Sequence, residues 1–138
     1  MATVYDVKAN EIINKSSEEL KKLAKVPSWA KYVKTGAGRE RPPIERDWYY
    51  KRLAAILRSV YLYGPIGVNK LRIRYGNRKN VGVTGERVYR GSGKVIRTCL
   101  QELEKLQFIK KVEKGIHKGK VITGKGKSFL DKLAKQIK

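Results

Sequence analysis

The chain has 138 residues, with 33 Lys or Arg against 12 Asp or Glu, and so carries a formal charge of +21 beside 41% hydrophobic residues. That length and apolar content fit one compact domain, 1–138, and so much self-repelling positive charge suits a dense polyanion, nucleic acid ahead of any small-molecule substrate. No run approaches the ~20 apolar residues of a membrane span, and the N-terminus lacks signal-peptide order. Cys99 and His117 are the single Cys and His, so neither a disulfide framework nor a Cys/His zinc site can form; a cytoplasmic protein with no cofactor and no metal is expected.

In chain order, Asp6 is placed to cap a helix from about residue 8 to 24, with Ile12, Ile13, Leu20, Leu23 and Ala24 near one face. The Ser16-Ser17-Glu18-Glu19 run leaves open a break or restart there through a capping box. Val26-Pro27 punctuates the chain, and 27–33 reads as a short amphipathic helix closed by Gly36. Segment 35–43, with Gly36, Gly38, Arg39, Arg41 and Pro42-Pro43, reads as a loop that is mobile in the isolated chain.

The strongest helical pattern covers 44–63, where Tyr49, Leu53, Ile56, Val60 and Tyr63 recur at spacings of 4, 3, 4 and 3, and Gly64-Pro65 ends it. Residues 68–75 fit a second short helix through Val68, Leu71 and Tyr75, although Leu71 to Tyr75 also alternates like a strand. Segment 76–93 is rich in Gly, Asn, Arg and Lys with little periodicity, and reads as a long loop ordered by a partner. Ser92 is placed to cap a helix over 93–107 whose Val95, Ile96, Cys99, Leu100, Leu103 and Leu106 make a broad buried face. A strand over 108–114, a turn over 115–119 and a returning strand over 120–123 follow. The last helix gathers Phe129, Leu130, Leu133, Ala134 and Ile137 on one face. The expected fold is mostly α: a winged helix-turn-helix domain with an added N-terminal helix and a two-stranded β-hairpin wing.

Catalysis needs convergent groups with tuned pKa values, and the chain offers poor material for an enzyme. His117 stands among glycines and lysines at a hairpin tip, and Cys99 lies on an apolar helix face as a small hydrophobe. The stretch from Gly119 to Lys125 matches G-x-x-x-x-G-K, but Gly126 occupies the place of the Ser or Thr that would hold magnesium, and its β-branched interior reads as a strand.

What remains is cationic. Residues 1–25 nearly balance, with five basic against four acidic side chains, so the positive field belongs to the body of the domain. From Arg72 to Arg97 eight basic residues face one acid, Glu86, and from Phe108 onward ten face two. Trp48 and Arg52, one helical turn apart and off the apolar stripe, can stack an unpaired base and reach a phosphate; packing of Trp48 against the first helix under Arg52 is compatible with that. Arg58 extends the same surface. Arg78, Lys79, Arg87 and Arg90 lie in the basic loop, and Lys94, Arg97 and Gln101 share the polar face of the next helix, whose cationic end is also its N-terminal end.

The chain resembles the archaeal and eukaryotic small-subunit ribosomal protein family S-nineteen-e over nearly its whole length. The resemblance rests on Val26-Pro27-Ser28-Trp29, Val33-Lys34-Thr35-Gly36, Arg46 to Arg52, the Val60 to Val68 junction, Tyr75-Gly76 and Arg90 to Lys94. It implies a winged-helix fold and no catalytic activity. It further implies a place in the head of the small subunit, a part in maturing that subunit's RNA, and an RNA-binding surface falling on Trp48, Arg52, Arg58 and Arg97. The C-terminus at Lys138, without an extended tail, points to the archaeal branch.

The expected partners are small-subunit ribosomal RNA and neighbouring small-subunit ribosomal proteins, with no membrane, no small-molecule substrate and a monomer when free. A winged-helix DNA-binding transcription regulator is the competing reading. It is disfavoured because no spare apolar helix remains for dimerisation on paired half-sites and the basic residues spread over several faces. An RNA chaperone or processing factor acting in trans is a third class that charge alone leaves open.

Overall fold

The computed structural model describes residues 2–113 and 115–138. A 3₁₀ turn at Val4–Asp6 leads into helix α1 (Ala9–Leu23), and a second 3₁₀ turn at Ser28–Lys31 precedes α2 (Trp48–Tyr63) and α3 (Val68–Arg74). Strands β1 (Asn77–Lys79) and β2 (Arg87–Tyr89) follow, then α4 (Gly93–Lys105), β3 (Ile109–Val112), β4 (Gly119–Ile122) and α5 (Gly124–Ile137). The protein is mostly helical.

Helix α2 is the axis of the core because its apolar positions repeat at helical spacing through four turns. Leu53, Ile56, Leu57 and Val60 are wholly buried, against Ile12 and Leu20 of α1, Ile96, Cys99 and Leu103 of α4, and Leu130 and Ala134 of α5. Each such side chain contributes about 1.5 to 3 kcal/mol of burial. Gly64, at φ 64°, ends the helix in the left-handed region that a β-carbon disfavours. The Ser92 hydroxyl caps α4 by accepting the Val95 N–H, and Thr123 caps α5 by accepting the Gly126 N–H at 3.2 Å. A β-carbon at Gly126 would lie 2.4 Å from the Phe108 carbonyl oxygen, so the start of α5 packs against the chain entering β3 only with glycine there.

Several expectations need correction. The Asp6 carboxylate does not cap α1; it accepts the Thr3 N–H at 2.7 Å and closes the first 3₁₀ turn, and these bonds hold its pKa below the usual range. Helix α1 runs unbroken through Ser16 and Ser17, the Ser17 hydroxyl donating to the Asn14 carbonyl at 2.6 Å. Residues 27–33 shorten to the 3₁₀ turn. Helix α2 begins at Trp48, four residues later than the periodicity suggested: Ile44 is fully exposed, and Asp47 gives its carboxylate to Lys21 at 2.9 Å. Tyr63 is not a core residue but lies 56% exposed beneath the Arg74 guanidinium.

The largest correction concerns 76–93. It holds an antiparallel hairpin with Asn77 opposite Tyr89, Arg78 opposite Val88 and Lys79 opposite Arg87. The second hairpin is where the sequence put it, with Ile109 opposite Ile122 and Val112 opposite Gly119; Lys114, the last residue expected in its first strand, lies outside the described residues. Ile66, between α2 and α3, exchanges backbone hydrogen bonds with Lys120 at 3.1 and 2.9 Å and so adds a bridge to that sheet.

Candidate nucleic-acid interface

All eleven arginines fall between Arg39 and Arg97, and the C-terminal region is basic through lysine alone. Among the described residues every ion pair uses a lysine: Lys21 with Asp47, Lys22 with Glu19, Lys51 with Glu45, Lys105 with Glu102, Lys111 with Glu113 and Lys120 with Glu104. Half of the twelve acids are thereby engaged and none holds an arginine. Guanidinium groups are the side chains best shaped to grip phosphate in pairs of hydrogen bonds, and here they stand without internal counterions.

The first cluster surrounds the start of α2. Trp48 is half-buried, its edge against Tyr49 at 5.9 Å between ring centres, and it borders a hollow of about 560 Å³. Arg39, Arg41, Lys51 and Arg52 line the hollow together with Pro42, Pro43 and Ile44. Arg52 is half-buried too, its guanidinium 4.3 Å from the centre of the Tyr75 ring; burial lowers its pKa, opposed by Tyr75 and reinforced by Arg39 nearby. The Tyr75 hydroxyl meets Ser59 Oγ at 3.3 Å, so Arg52 rests on a fixed ring. The sequence brought Trp48 and Arg52 together correctly. It did not reveal the second role of Arg52 as a packing group.

The second cluster gathers where α3 meets α4. The Arg72 Nε donates to the Gly91 carbonyl at 3.0 Å, and a β-carbon at Gly93 would lie 3.0 Å from Arg97 Nη1 and 3.4 Å from Arg72 Cδ. The two side chains therefore converge over the first turn of α4. Arg97, Lys94 and Gln101 are exposed on one face, as expected, with the Lys94 ammonium 5.1 Å from the centre of the Trp29 ring.

The third cluster is the first hairpin. Its register sets Lys79 directly opposite Arg87 on one face, a like-charge pair that disfavours the ladder on its own and favours an anion beside it. Arg78, Arg87 and Arg90 are exposed. Arg58 joins none of these: six residues beyond Arg52, about 240° around the helix, it lies near Tyr63, whose pKa is lowered first by a hydrogen bond from Arg74 and less by Arg58. Its Nε is buried without a hydrogen-bond partner.

Sequence reasoning missed Arg39 and Arg41 as members of these clusters, and it named Arg72 only as the start of the basic stretch 72–97. Arg39 and Arg41 precede Trp48 in a segment with no helical period to place them beside it, and the only local signal was the Arg-x-Arg-Pro-Pro pattern. Cys99 is fully buried beside Tyr49, and burial pushes its thiol up to about 12, which makes it an inert core residue. Residues 119–122 form strand β4 and 124 opens α5, in accord with the strand reading of the phosphate-loop near miss.

The family model of Ribosomal protein S19e matches residues 3–138. The chain is 42% identical to the small ribosomal subunit protein eS19 of Haloarcula marismortui, over 97% of this chain and 90% of that protein. It is 38% identical to the protein of the same name from Thermoplasma acidophilum, over 99% and 90%, and 39% identical to the small ribosomal subunit protein eS19G of Ascaris suum, over 99% and 92%.

Proposed function

The chain belongs to the ribosomal protein S19e family, and from that premise we propose that its unpaired arginine clusters dock it on small-subunit ribosomal RNA, in the head of the subunit, where it supports RNA maturation and assembly. As a ribosomal structural protein it is not an enzyme, and its place is the cytoplasmic ribosome. The observation that carries the docking surface is the partition of charge: among the described residues the six ion pairs all use lysines and none uses an arginine, and the arginines occupy segment 39–46, α2, α3, the hairpin β1–β2 with its flank, and α4. The proposed RNA-binding residues are Trp48, Arg52, Arg78, Lys79, Arg87, Arg90, Lys94 and Arg97, together with Arg39, Arg41 and Arg72, while Arg58, expected in the same set, stands apart from the three clusters with its Nε buried.

The architecture reads as one winged helix-turn-helix domain. Helices α2, α3 and α4 form the three-helix unit, β3–β4 is the wing, and the Ile66–Lys120 bridge supplies the wing with a third edge. In a DNA-binding regulator of this shape the cations would concentrate on α4 for a single groove. Here they extend over three elements and a loop, as a protein lodged among RNA helices and neighbouring ribosomal proteins requires. The free chain is a monomer, because α2 and α4 spend their apolar faces on the common core.

The test is ultraviolet cross-linking of purified small subunits followed by peptide mapping. Adducts of small-subunit RNA within 39–58 and 72–97 are expected. Adducts confined to the lysines of α5 would overturn the reading.

A further inference from the structure

We infer that the hollow beside Trp48 is a pocket for one unpaired nucleotide, the base on the indole and its phosphate on Arg39 and Arg41, so that this part of the surface selects single-stranded RNA over duplex. The inference rests on the RNA-binding reading above and adds to it the kind of RNA that this site takes.

Three observations carry it. The hollow, at about 560 Å³, falls in the size range of small-molecule sites, and its walls are of two kinds. Ile13, Pro42, Pro43 and the half-buried indole supply flat or apolar surface, whereas Arg39, Arg41 and Arg52 supply positive charge; Lys51 is engaged by Glu45, the only acid on the lining. Such a mixture suits a flat aromatic ring carrying an anion. A second hollow of about 380 Å³ shares Arg39 and Arg41 and is otherwise lined by Gly38, Glu40 and residues 77–80, among them Arg78 and Lys79. The two arginines thus stand on the ridge between an apolar hollow and a polar one, as they would beneath a strand whose base drops to one side while its backbone continues along the other.

The ridge is also held in place. Loop 35–43, expected to be mobile, is tied down at both ends of its first half: the Ser92 N–H donates to the Thr35 carbonyl at 2.9 Å, Gly36 bridges Gly91, and Asn77 Nδ2 donates to the Gly38 carbonyl at 2.9 Å. Anchored on the hairpin and on the entry to α4, Arg39 and Arg41 lose less freedom on binding than a free loop would. A duplex cannot use such a pocket, since its bases are stacked on each other and present only edges, whereas an unpaired base has a free face for the indole.

The experiment uses the full chain carrying Trp29→Phe, which leaves Trp48 as the single indole. It is titrated with a blunt RNA duplex of about twelve base pairs and with a single-stranded oligoadenylate long enough to match its phosphate number. Saturable quenching of Trp48 by the single strand and little by the duplex is expected. Read from the fluorescence anisotropy of end-labelled RNAs, Trp48→Leu should weaken the single strand by about 5- to 100-fold and the duplex by less than about 2-fold, while Trp48→Phe, which keeps a stacking ring and the packing, recovers most of the loss. Arg39→Ala with Arg41→Ala, on a surface loop away from the core, should abolish the preference as well. Equal quenching by both RNAs, or equal losses for both on Trp48→Leu, would overturn the pocket and leave the general docking surface standing. Failure of both RNAs to bind would overturn the pocket and the docking surface together.

Discussion

Replacing Arg52 by alanine separates the packing role of an arginine from its docking role. In the free protein its guanidinium lies 4.3 Å from the Tyr75 ring centre in a half-buried position, and a cation over a tyrosine is worth about 0.5 to 2 kcal/mol as desolvation increases. Arg52→Ala should therefore cost about 1 kcal/mol of stability, a melting temperature lower by roughly 3 to 5 °C for a chain of this size. The loss in docking should be larger. A hydrogen bond to a charged group contributes about 1.5 to 3 kcal/mol, which is roughly 10- to 150-fold in competitive incorporation of folded mutant against wild type into small subunits. Arg52→Lys keeps a cation near the ring but loses the planar fork, so it should restore most of the stability and only part of the incorporation. Denaturant titration of the free protein and mass-spectrometric counting of the two forms in assembled subunits read the two quantities. A stability loss above about 3 kcal/mol, with incorporation falling only as far as the unfolded fraction explains, would refute the division and make Arg52 a structural residue.

Leu53, wholly buried at the centre of α2, should cost about 2 to 5 kcal/mol when replaced by alanine, through lost burial and a cavity, as read by chemical denaturation. Cys99, its thiol pushed up to about 12, should stay unlabelled by a thiol reagent at pH 8 until the protein is unfolded; fast labelling of the native chain would mean that the α2–α4 packing opens. If about 6 to 10 phosphates are neutralised, binding to small-subunit RNA should weaken with log salt at a slope of roughly −5 to −9, and a slope shallower than about −2 would contradict an arginine-to-phosphate interface.

The helices were legible because burial repeats at their own period. Leu53, Ile56 and Val60 announce α2, and Ser92 and Thr123 cap α4 and α5 in the structure. The hairpin β1–β2 was not legible, for a physical reason: its strands are three residues long and Val88, the residue that alternation would need inside, is 73% exposed. It is positioned instead by Asn77 against Gly38, far away in sequence, and closed at its base by Gly76 against the Tyr89 carbonyl, where a β-carbon would come within 2.6 Å. The pocket had the same obstacle. Trp48 and Arg52 were visible as helical neighbours, but Arg39 and Arg41 reach them only because the loop is tied to Gly91 and Asn77. The start of α2 was set too early: Ile44, five residues before Tyr49, lies off the apolar stripe and stands fully exposed on the rim of the hollow.

The docking surface is tested most directly by a change that leaves net charge untouched. A variant carrying Arg52→Lys, Arg90→Lys and Arg97→Lys keeps the charge of +21, and a second variant removes three lysines outside the clusters through Lys118→Ala, Lys132→Ala and Lys135→Ala. Each competes with wild type for incorporation into small subunits. The arginine-to-lysine variant should be strongly under-represented despite its full charge, and the lysine-deleted variant should incorporate nearly as well as wild type. The reverse order, or equal incorporation of both, would show that bulk charge alone draws the protein to the RNA.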